Sequence, residues 1–209
     1  MIMGPENKLN SEIVTKLGPI ELEIWRQALA FQDKRQDLGH AATVTLWAIK
    51  LLETENADRG IVVPAAILHD IGWCQISEEE RMATVRRALS KDEELRVRLK
   101  HQEKGVRMAL AILQKVDYDP KFITDIVEII SQHDTRVGFI SEEDSVMRDA
   151  DKLWRYTREG IEVDARLRGV SVDVCLQELT AKIERYFNTK TAANIARKEL
   201  KMRALEQAK

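Results

Sequence analysis

The stretch AILHDIGW, residues 66–73, places a histidine and an aspartate directly after an apolar run. The apolar residues from 62 to 68 favour burial, so they carry His69 and Asp70 inward with them. An ionisable pair is costly to bury unless another group pairs with it. The stretch therefore predicts that a further group meets His69 and Asp70 in the interior.

The composition describes a globular chain. The sequence has 209 residues, of which 44% are hydrophobic and 33% are charged, and this length suits one domain of ordinary to large size. The sequence contains only nine Gly and four Pro, and this low number of helix-breaking residues favours long helices. The formal net charge of -2 argues against a general nucleic-acid binder, although a local basic pocket for a small phosphate ligand is compatible with it.

The number of cysteines and the N-terminal residues give an expectation for the cellular location of the protein. Two cysteines, Cys74 and Cys175, are too few for a disulfide framework. Residues 1–13 show no basic region followed by an apolar one, and charges interrupt the apolar stretches before they reach a membrane-spanning length. We expect a cytoplasmic protein without a membrane or nucleic-acid partner. Cys74 is expected either to pack in the interior or to be redox-sensitive.

Apolar periodicity predicts an all-α fold. Ser77, Asp119 and Ser141 have the residue types and positions of helix caps. Gly160 and Gly169 are interpreted as turns ahead of a C-terminal helical pair. The predicted helices cover residues 19–36, 39–54, 61–70, 78–89, 91–116, 120–133, 142–156, about 172–187 and 190–207.

The chain has four histidines, and each shares a helical stripe with apolar residues, as do two aspartates. Any one of them alone is explained by a core histidine bonded to a backbone carbonyl, or by a capping aspartate. Together they indicate a metal site, because helix bundles build such sites from inward side chains on separate helices. Six ligands exceed the needs of one tetrahedral zinc and suit two metals that share a carboxylate. The six are His40, His69, Asp70, His101, His133 and Asp151.

The order of these residues resembles the H…HD…D signature of the HD-domain superfamily of metal-dependent phosphohydrolases. The flanking segments match as well: DLGH at 37–40, AAILHDIG at 65–72 and DADKLW at 149–154. His101 in KHQEKG and His133 in ISQHDTR fall where binuclear members place two extra histidines. The resemblance covers about residues 25–160, and the ordered set with DADKL is specific.

The resemblance implies an HD-domain-like helical bundle of five or more helices with the metal site at its centre. His40, His69, Asp70 and Asp151 would hold the first metal, and Asp70 would bridge to a second completed by His101 and His133. The implied cofactor is one or two divalent transition metals, with iron, manganese, cobalt, nickel and zinc all open. The domain layout that we predict is an N-terminal segment at 1–18, the metal-binding helical domain at 19–160 and a packed C-terminal helical extension at 161–209.

The chain departs from many binuclear relatives directly after the HD pair. Relatives such as dinucleoside tetraphosphatases and cyclic dinucleotide phosphodiesterases often carry a lysine where this chain has Trp73, and the GYP signature of the latter is absent from this sequence. Trp73 is expected to pack either against a substrate base or in the core.

The expected activity is phosphohydrolysis of a nucleotide or another small phosphate ester through a metal-activated water. Asp70 and Asp134 are the catalytic candidates; Asp134 would orient a ligand or act as a general base, unless it is a helix-end acceptor. Each substrate-binding candidate has an alternative interpretation as an ordinary surface or ion-paired charge. These candidates are Lys104, Arg136, Lys152 and Arg155.

Three other interpretations stay open. Some HD-fold proteins with this six-ligand set hold two irons and oxidise substrates with oxygen. A non-catalytic nucleotide-sensing module is a second alternative, and a purely structural metal is the least favoured because four ligands would suffice. A homodimer is compatible with the sequence.

Overall fold

The computed structural model describes residues 12–207, and over that range it contains helices and no strand, which confirms the predicted all-α class. Residues 12–16 are helical, and 3-10 turns occupy Leu29–Phe31 and Ile71–Gln75. The longer helices are α1 (Pro19–Ala28), α2 (His40–Leu51), α3 (Arg59–Leu68), α4 (Glu78–Val85), α5 (Lys91–Lys115), α6 (Pro120–Gln132), α7 (Glu142–Trp154), α8 (Arg158–Arg168), α9 (Val172–Tyr186) and α10 (Lys190–Gln207).

The predicted caps are confirmed. Ser77 accepts a hydrogen bond from the backbone N–H of the third residue of α4, and Ser141 does the same for α7. Asp119 accepts from the second residue of α6, which begins with a proline. Each cap satisfies a backbone donor that the helix itself leaves free, so these helices begin where the sequence predicts.

The predicted helix at 19–36 was too long. α1 ends at Ala28 and continues only as a 3-10 turn, because the chain reverses at Asp33 and Gln36, whose φ angles are 55° and 59°. The Asp33 carboxylate then accepts hydrogen bonds from the backbone N–H groups of Gly39 (2.7 Å) and Ala41 (3.0 Å). The loop therefore serves to fix the start of α2.

The interpretation of Gly160 as a turn was wrong, and with it α8 was missed. Gly160 lies in the first turn of α8, where its N–H donates to the Thr157 hydroxyl at 3.0 Å. A Cβ at position 160 would lie 2.0 Å from the carbonyl oxygen of Trp154, so the glycine permits close packing against the end of α7. Gly169, with φ of 66°, does end α8 as predicted.

Helix α3 lies at the centre of the fold. Every residue from Ile61 to Leu68 is buried, and the helix packs against α1, α2, α6 and α7. Burying a large aliphatic side chain contributes about 1.5–3 kcal/mol, so the apolar segment from Ile61 to Leu68 has a strong preference for the interior. As a result, His69 and Asp70, which directly follow this helix, lie in the middle of the bundle.

The C-terminal helices are fixed to the bundle through Asp149 on α7. This fully buried carboxylate accepts hydrogen bonds from the backbone N–H groups of Asn188 (2.9 Å) and Thr189 (2.7 Å), just before α10. The Lys152 ammonium donates to the same carboxylate, with Lys152 Nζ 3.2 Å from Asp149 Oδ1. The predicted division at residue 160 stays a prediction, and α8 runs across it.

Among the described residues, no helix is both long enough and apolar enough to cross a lipid bilayer.

Candidate metal centre

Five helices deliver the six predicted ligands to one place. His40 is the first residue of α2, His69 and Asp70 follow α3, and Asp151 lies on α7. His101 lies in the middle of α5, and His133 follows the last residue of α6. All four imidazoles are buried.

Four of the ligand atoms form a first cluster. His40 Nε2 lies 3.2 Å from His69 Nε2, 3.3 Å from Asp70 Oδ2 and 3.5 Å from Asp151 Oδ1. His69 Nε2 lies 3.6 Å from Asp70 Oδ2 and 3.7 Å from Asp151 Oδ1. Metal–ligand bonds of about 2.0–2.2 Å place neighbouring ligand atoms about 3–3.5 Å apart. The spacing of this cluster therefore fits one ion.

A second cluster forms around the other oxygen of Asp70. Asp70 Oδ1 lies 3.6 Å from His101 Nε2 and 3.4 Å from His133 Nε2. Asp134 Oδ2 joins the same group, 3.6 Å from His101 Nε2 and 3.9 Å from His133 Nε2. Asp70 thus faces one cluster with each of its two oxygens, as a bridging carboxylate does.

Several of these buried polar atoms have no hydrogen-bond partner among the described residues. They are His40 Nδ1, both ring nitrogens of His101, His133 Nε2 and Asp134 Oδ2. A buried polar group without a partner costs about 1–3 kcal/mol, and a protein keeps such a group for a reason. Imidazole nitrogens and carboxylate oxygens converging in this way fit divalent transition metals.

Backbone carbonyls orient two of the imidazoles. His69 Nδ1 lies 2.8 Å from the carbonyl oxygen of Ala66, and His133 Nδ1 lies 2.9 Å from that of Ile130. An Nδ1–H that donates to these carbonyls leaves Nε2 with its lone pair directed into the cluster. This arrangement is the one that metal-binding histidines adopt.

Arg35 and Trp73 hold the bridging Asp70, and neither was predicted to do so. The Arg35 guanidinium forms an ion pair with Asp70 Oδ2, and the Trp73 indole N–H donates to Oδ1 at 3.0 Å. Trp73 is only 1% exposed and stacks on the ring of His101 with centroids 4.0 Å apart. Of the two predicted roles for Trp73, the structure therefore supports the core role.

A close backbone contact brings the two halves of the centre together. A Cβ on Gly72 would lie 2.1 Å from the carbonyl oxygen of His101 and 2.5 Å from the backbone nitrogen of Gly105. Only glycine allows the turn after Asp70 to approach α5 so closely. The approach sets the distance between Asp70 and His101.

Charge in the cluster is balanced by protons when no metal is bound. Burial lowers the pKa of His69, but the neighbouring Asp70 and Asp151 outweigh burial and raise it to about 9. Burial raises the pKa of Asp70, but Arg35 and His69 outweigh it and hold the pKa well below its usual range. The metal-free centre therefore keeps charged carboxylates beside a protonated imidazole, and a metal would displace that proton.

Asp134 is fixed by Arg98, which the sequence did not single out. Asp134 Oδ1 lies 2.8 Å from Arg98 NH1, while Oδ2 faces the second cluster. Burial raises the pKa of Asp134, but Arg98 and His133 outweigh it and lower the pKa to about 2. The predicted roles of Asp134 as an orienting group or general base stay predictions, and its position makes it a candidate ligand as well.

The four predicted substrate contacts differ in where they lie. No hydrogen bond or ion pair within residues 12–207 joins the Lys104 side chain to the centre, and Arg136 Nε donates instead to Gln132 at 2.7 Å. Lys152 lies on Asp149, as described above. Arg155 alone lines a cavity that includes a ligand, His40. The substrate-binding roles of all four stay predictions.

That cavity measures about 170 Å³ and adjoins a second of about 190 Å³, with Arg87, Arg98, Arg155 and Asp164 in the walls of both. Arg35 joins His40 on the side of the first cavity that faces the metal centre. The second cavity reaches Lys182 and Tyr186 on α9. The first cavity therefore borders the metal centre at His40 and has arginines in its walls.

Comparison with known proteins identifies a matching family. The profile of the HD domain family matches residues 37–155, more than half of the 209-residue chain. This interval contains all six predicted ligands and Asp134, and it confirms the resemblance found in the sequence. Neither a curated protein nor a solved structure matches the chain.

Proposed function

Because the chain belongs to the HD domain family, we propose that it is a metal-dependent phosphohydrolase acting on a nucleotide or another small phosphate ester. The observation that supports this most is the position of Asp70, with Oδ2 in one His/Asp cluster and Oδ1 in the other. A purely structural ion would need only the first cluster.

The donor sets follow from the two clusters. His40, His69, Asp151 and Asp70 Oδ2 would hold one divalent ion. Asp70 Oδ1, His101, His133 and Asp134 would hold the other. Bound ions would supply a water of lowered pKa as the nucleophile and would offset charge on the phosphate oxygens.

The chain's own residues position these groups. Arg35 holds Asp70 Oδ2 and Trp73 holds Oδ1, so each cluster keeps one oxygen. Arg98 holds Asp134 Oδ1 and leaves Oδ2 facing the second cluster. From there Asp134 either donates to an ion or accepts the proton of the attacking water.

Protein purified without chelator tests the proposal, first by elemental analysis and then by a screen of phosphate mono- and diesters with the metals found. Asp70→Asn should lose bound metal and hydrolysis together, because both clusters lose a charged donor. Asp125→Asn, an exposed aspartate on α6, is the matched control and should keep both. An Asp70→Asn protein that retains metal and turnover contradicts the proposal.

The same experiment separates the alternative chemistries. Turnover that requires oxygen and iron, with no release of phosphate, would replace the hydrolase by a di-iron oxygenase. Tight nucleotide binding without turnover, across manganese, cobalt, nickel, zinc and iron, would replace it by a sensing module. Phosphate release without oxygen supports the proposal.

A further inference from the structure

Arg155 is the arginine in the cavity walls that has no anionic partner. Three others are paired: Arg35 with Asp70, Arg87 with Glu178 and Arg98 with Asp134. Within residues 12–207 the Arg155 guanidinium makes no ion pair and no hydrogen bond, although it is only partly exposed. It directly follows the last residue of α7, four positions after Asp151, so it lies beside the first cluster.

Charges of both signs surround Arg155, and Tyr186 together with Asp151 and Asp164 outweighs burial and raises the pKa of its guanidinium. Arg35 lies near enough to both Arg98 and Arg155 for their positive charges to repel one another. These carboxylates act on Arg155 without an ion pair to it, so its N–H donors stay free to bind an anion directly. Arg155 lines both cavities, so these donors face a space that an anion can enter.

The acidic residues of the walls do not supply that anion. Asp164 and Glu178 also line the second cavity, but Arg168 binds both from behind, at 2.8 Å and 2.7 Å. Glu94 lies 2.7 Å from Arg98. Asp164, Glu178 and Glu94 are therefore each paired with an arginine other than Arg155.

The donors that face the cavity match phosphate. A guanidinium binds two phosphate oxygens through parallel N–H donors, which an ammonium does not do. Tyr186, in the wall beside Arg155, is held as a hydroxyl donor because burial raises its pKa. Lys182, which is exposed, adds a further cation to the wall of the second cavity.

We propose that the cavity binds a second phosphate group of the substrate on Arg155, while the reacting phosphate lies at the metal centre. The substrate class is then a compound with at least two phosphates, either joined by an anhydride or carried on separate atoms. This inference rests on the proposed phosphohydrolase function and names its substrate class. Because Asp164, Lys182 and Tyr186 lie outside the matched interval 37–155, the C-terminal helices shape this specificity.

Binding of inert phosphonates tests the inference without turnover. The probes are methylphosphonate, methylenediphosphonate and propane-1,3-diphosphonate, titrated by calorimetry into the full-length, metal-loaded protein, with metal content measured after each titration. At least one diphosphonate should bind about 10- to 100-fold more tightly than methylphosphonate, because it gains a charge-assisted contact. A preference for the methylene compound indicates an anhydride substrate, and one for the propane compound indicates separated phosphates.

Variants assign the preference to Arg155. Arg155→Gln should bind all three probes with similar affinity, while its metal content and its affinity for methylphosphonate stay within about twofold of the wild type. Arg155→Lys keeps the charge without the paired donors and should retain only part of the preference, which provides a second test if the glutamine variant fails to fold. Arg107→Gln, an exposed arginine on α5, is the control and should behave as the wild type.

Two results overturn the inference: a wild-type protein with no preference for a diphosphonate, or a folded Arg155 variant that keeps the full preference. Failure of the proposed function looks different. If no phosphate ester is hydrolysed but the Arg155-dependent preference is present, the hydrolase proposal fails and the second phosphate site stands.

Discussion

The indole N–H of Trp73 donates to Asp70 Oδ1 at 3.0 Å, which ties the bridging carboxylate to a buried ring. The same ring stacks on His101, so one side chain orients two members of the second cluster. Arg35 holds the opposite oxygen of Asp70 by an ion pair. The carboxylate is therefore set in place before any metal arrives, which lowers the cost of ordering it on binding.

Trp73→Phe keeps the ring and removes the donor. We expect metal affinity at the second cluster to fall about 10-fold with the fold intact, as for other groups that orient metal ligands. Competition with a chromogenic chelator measures the affinity. Trp47→Phe is the control, because the indole nitrogen of Trp47 has no hydrogen-bond partner. Equal metal affinity in Trp73→Phe and the wild type would refute this role.

Gly72→Ala tests the contact between the HD turn and α5. The added Cβ would meet the backbone of His101 at 2.1 Å, so the two segments must separate, and we expect a loss of about 2–4 kcal/mol in the free energy of unfolding. Gly105→Ala, on the other side of the same contact, meets its nearest atoms at 3.6 Å and should cost less than about 1 kcal/mol. Urea denaturation compares the two variants, and similar losses in both would be evidence against the contact.

The stability of chelated protein should depend on pH through His69. Its folded pKa of about 9 exceeds the ordinary 6.5, so the stabilisation is complete below pH 6.5 and disappears as the pH rises through about 9. We expect the free energy of unfolding to fall by roughly 1–3 kcal/mol between pH 6.5 and 9.5. His69→Gln should remove this pH step, and metal-loaded protein should not show it, because the metal replaces the proton. A wild-type chelated protein without the step contradicts the argument.

Asp149→Asn tests how the C-terminal helices are held. The amide loses the charge and can turn its NH2 toward the backbone donors of Asn188 and Thr189. We expect a loss of about 2–3 kcal/mol and faster proteolysis between α9 and α10, with metal content unchanged. Asp173→Asn, exposed in the first turn of α9, should change both by much less. Equal protease resistance in the two variants would show that the hydrogen bonds to Asp149 do not hold the C-terminal helices.

The sequence predicted the metal centre because its signals are local and repeated. Each histidine shares a helical stripe with apolar residues, and the order of His40, the His69–Asp70 pair and Asp151 matches a known signature. The same patterns predicted the helix caps, since a cap needs only a side chain and a backbone group two or three residues away.

Local sequence patterns did not predict the residues that surround and orient the metal ligands. Arg35 lies in a loop whose two positive φ angles let it reach Asp70, and nothing in the order of residues shows that path. Arg98 lies three residues before His101 on α5, so helical spacing alone could have drawn attention to it. Gly160 misled because a glycine needed for close packing looks in the sequence like a glycine that ends a helix.

The most direct test of the central claim is a crystal structure of the metal-loaded protein with anomalous scattering measured at the metal edge. The account predicts two peaks about 3.5–4 Å apart on either side of Asp70, one beside His40 and Asp151 and the other beside His101 and His133. A well-ordered Asp70 with no anomalous peak on either side, at saturating manganese, cobalt, nickel, zinc or iron, would contradict it.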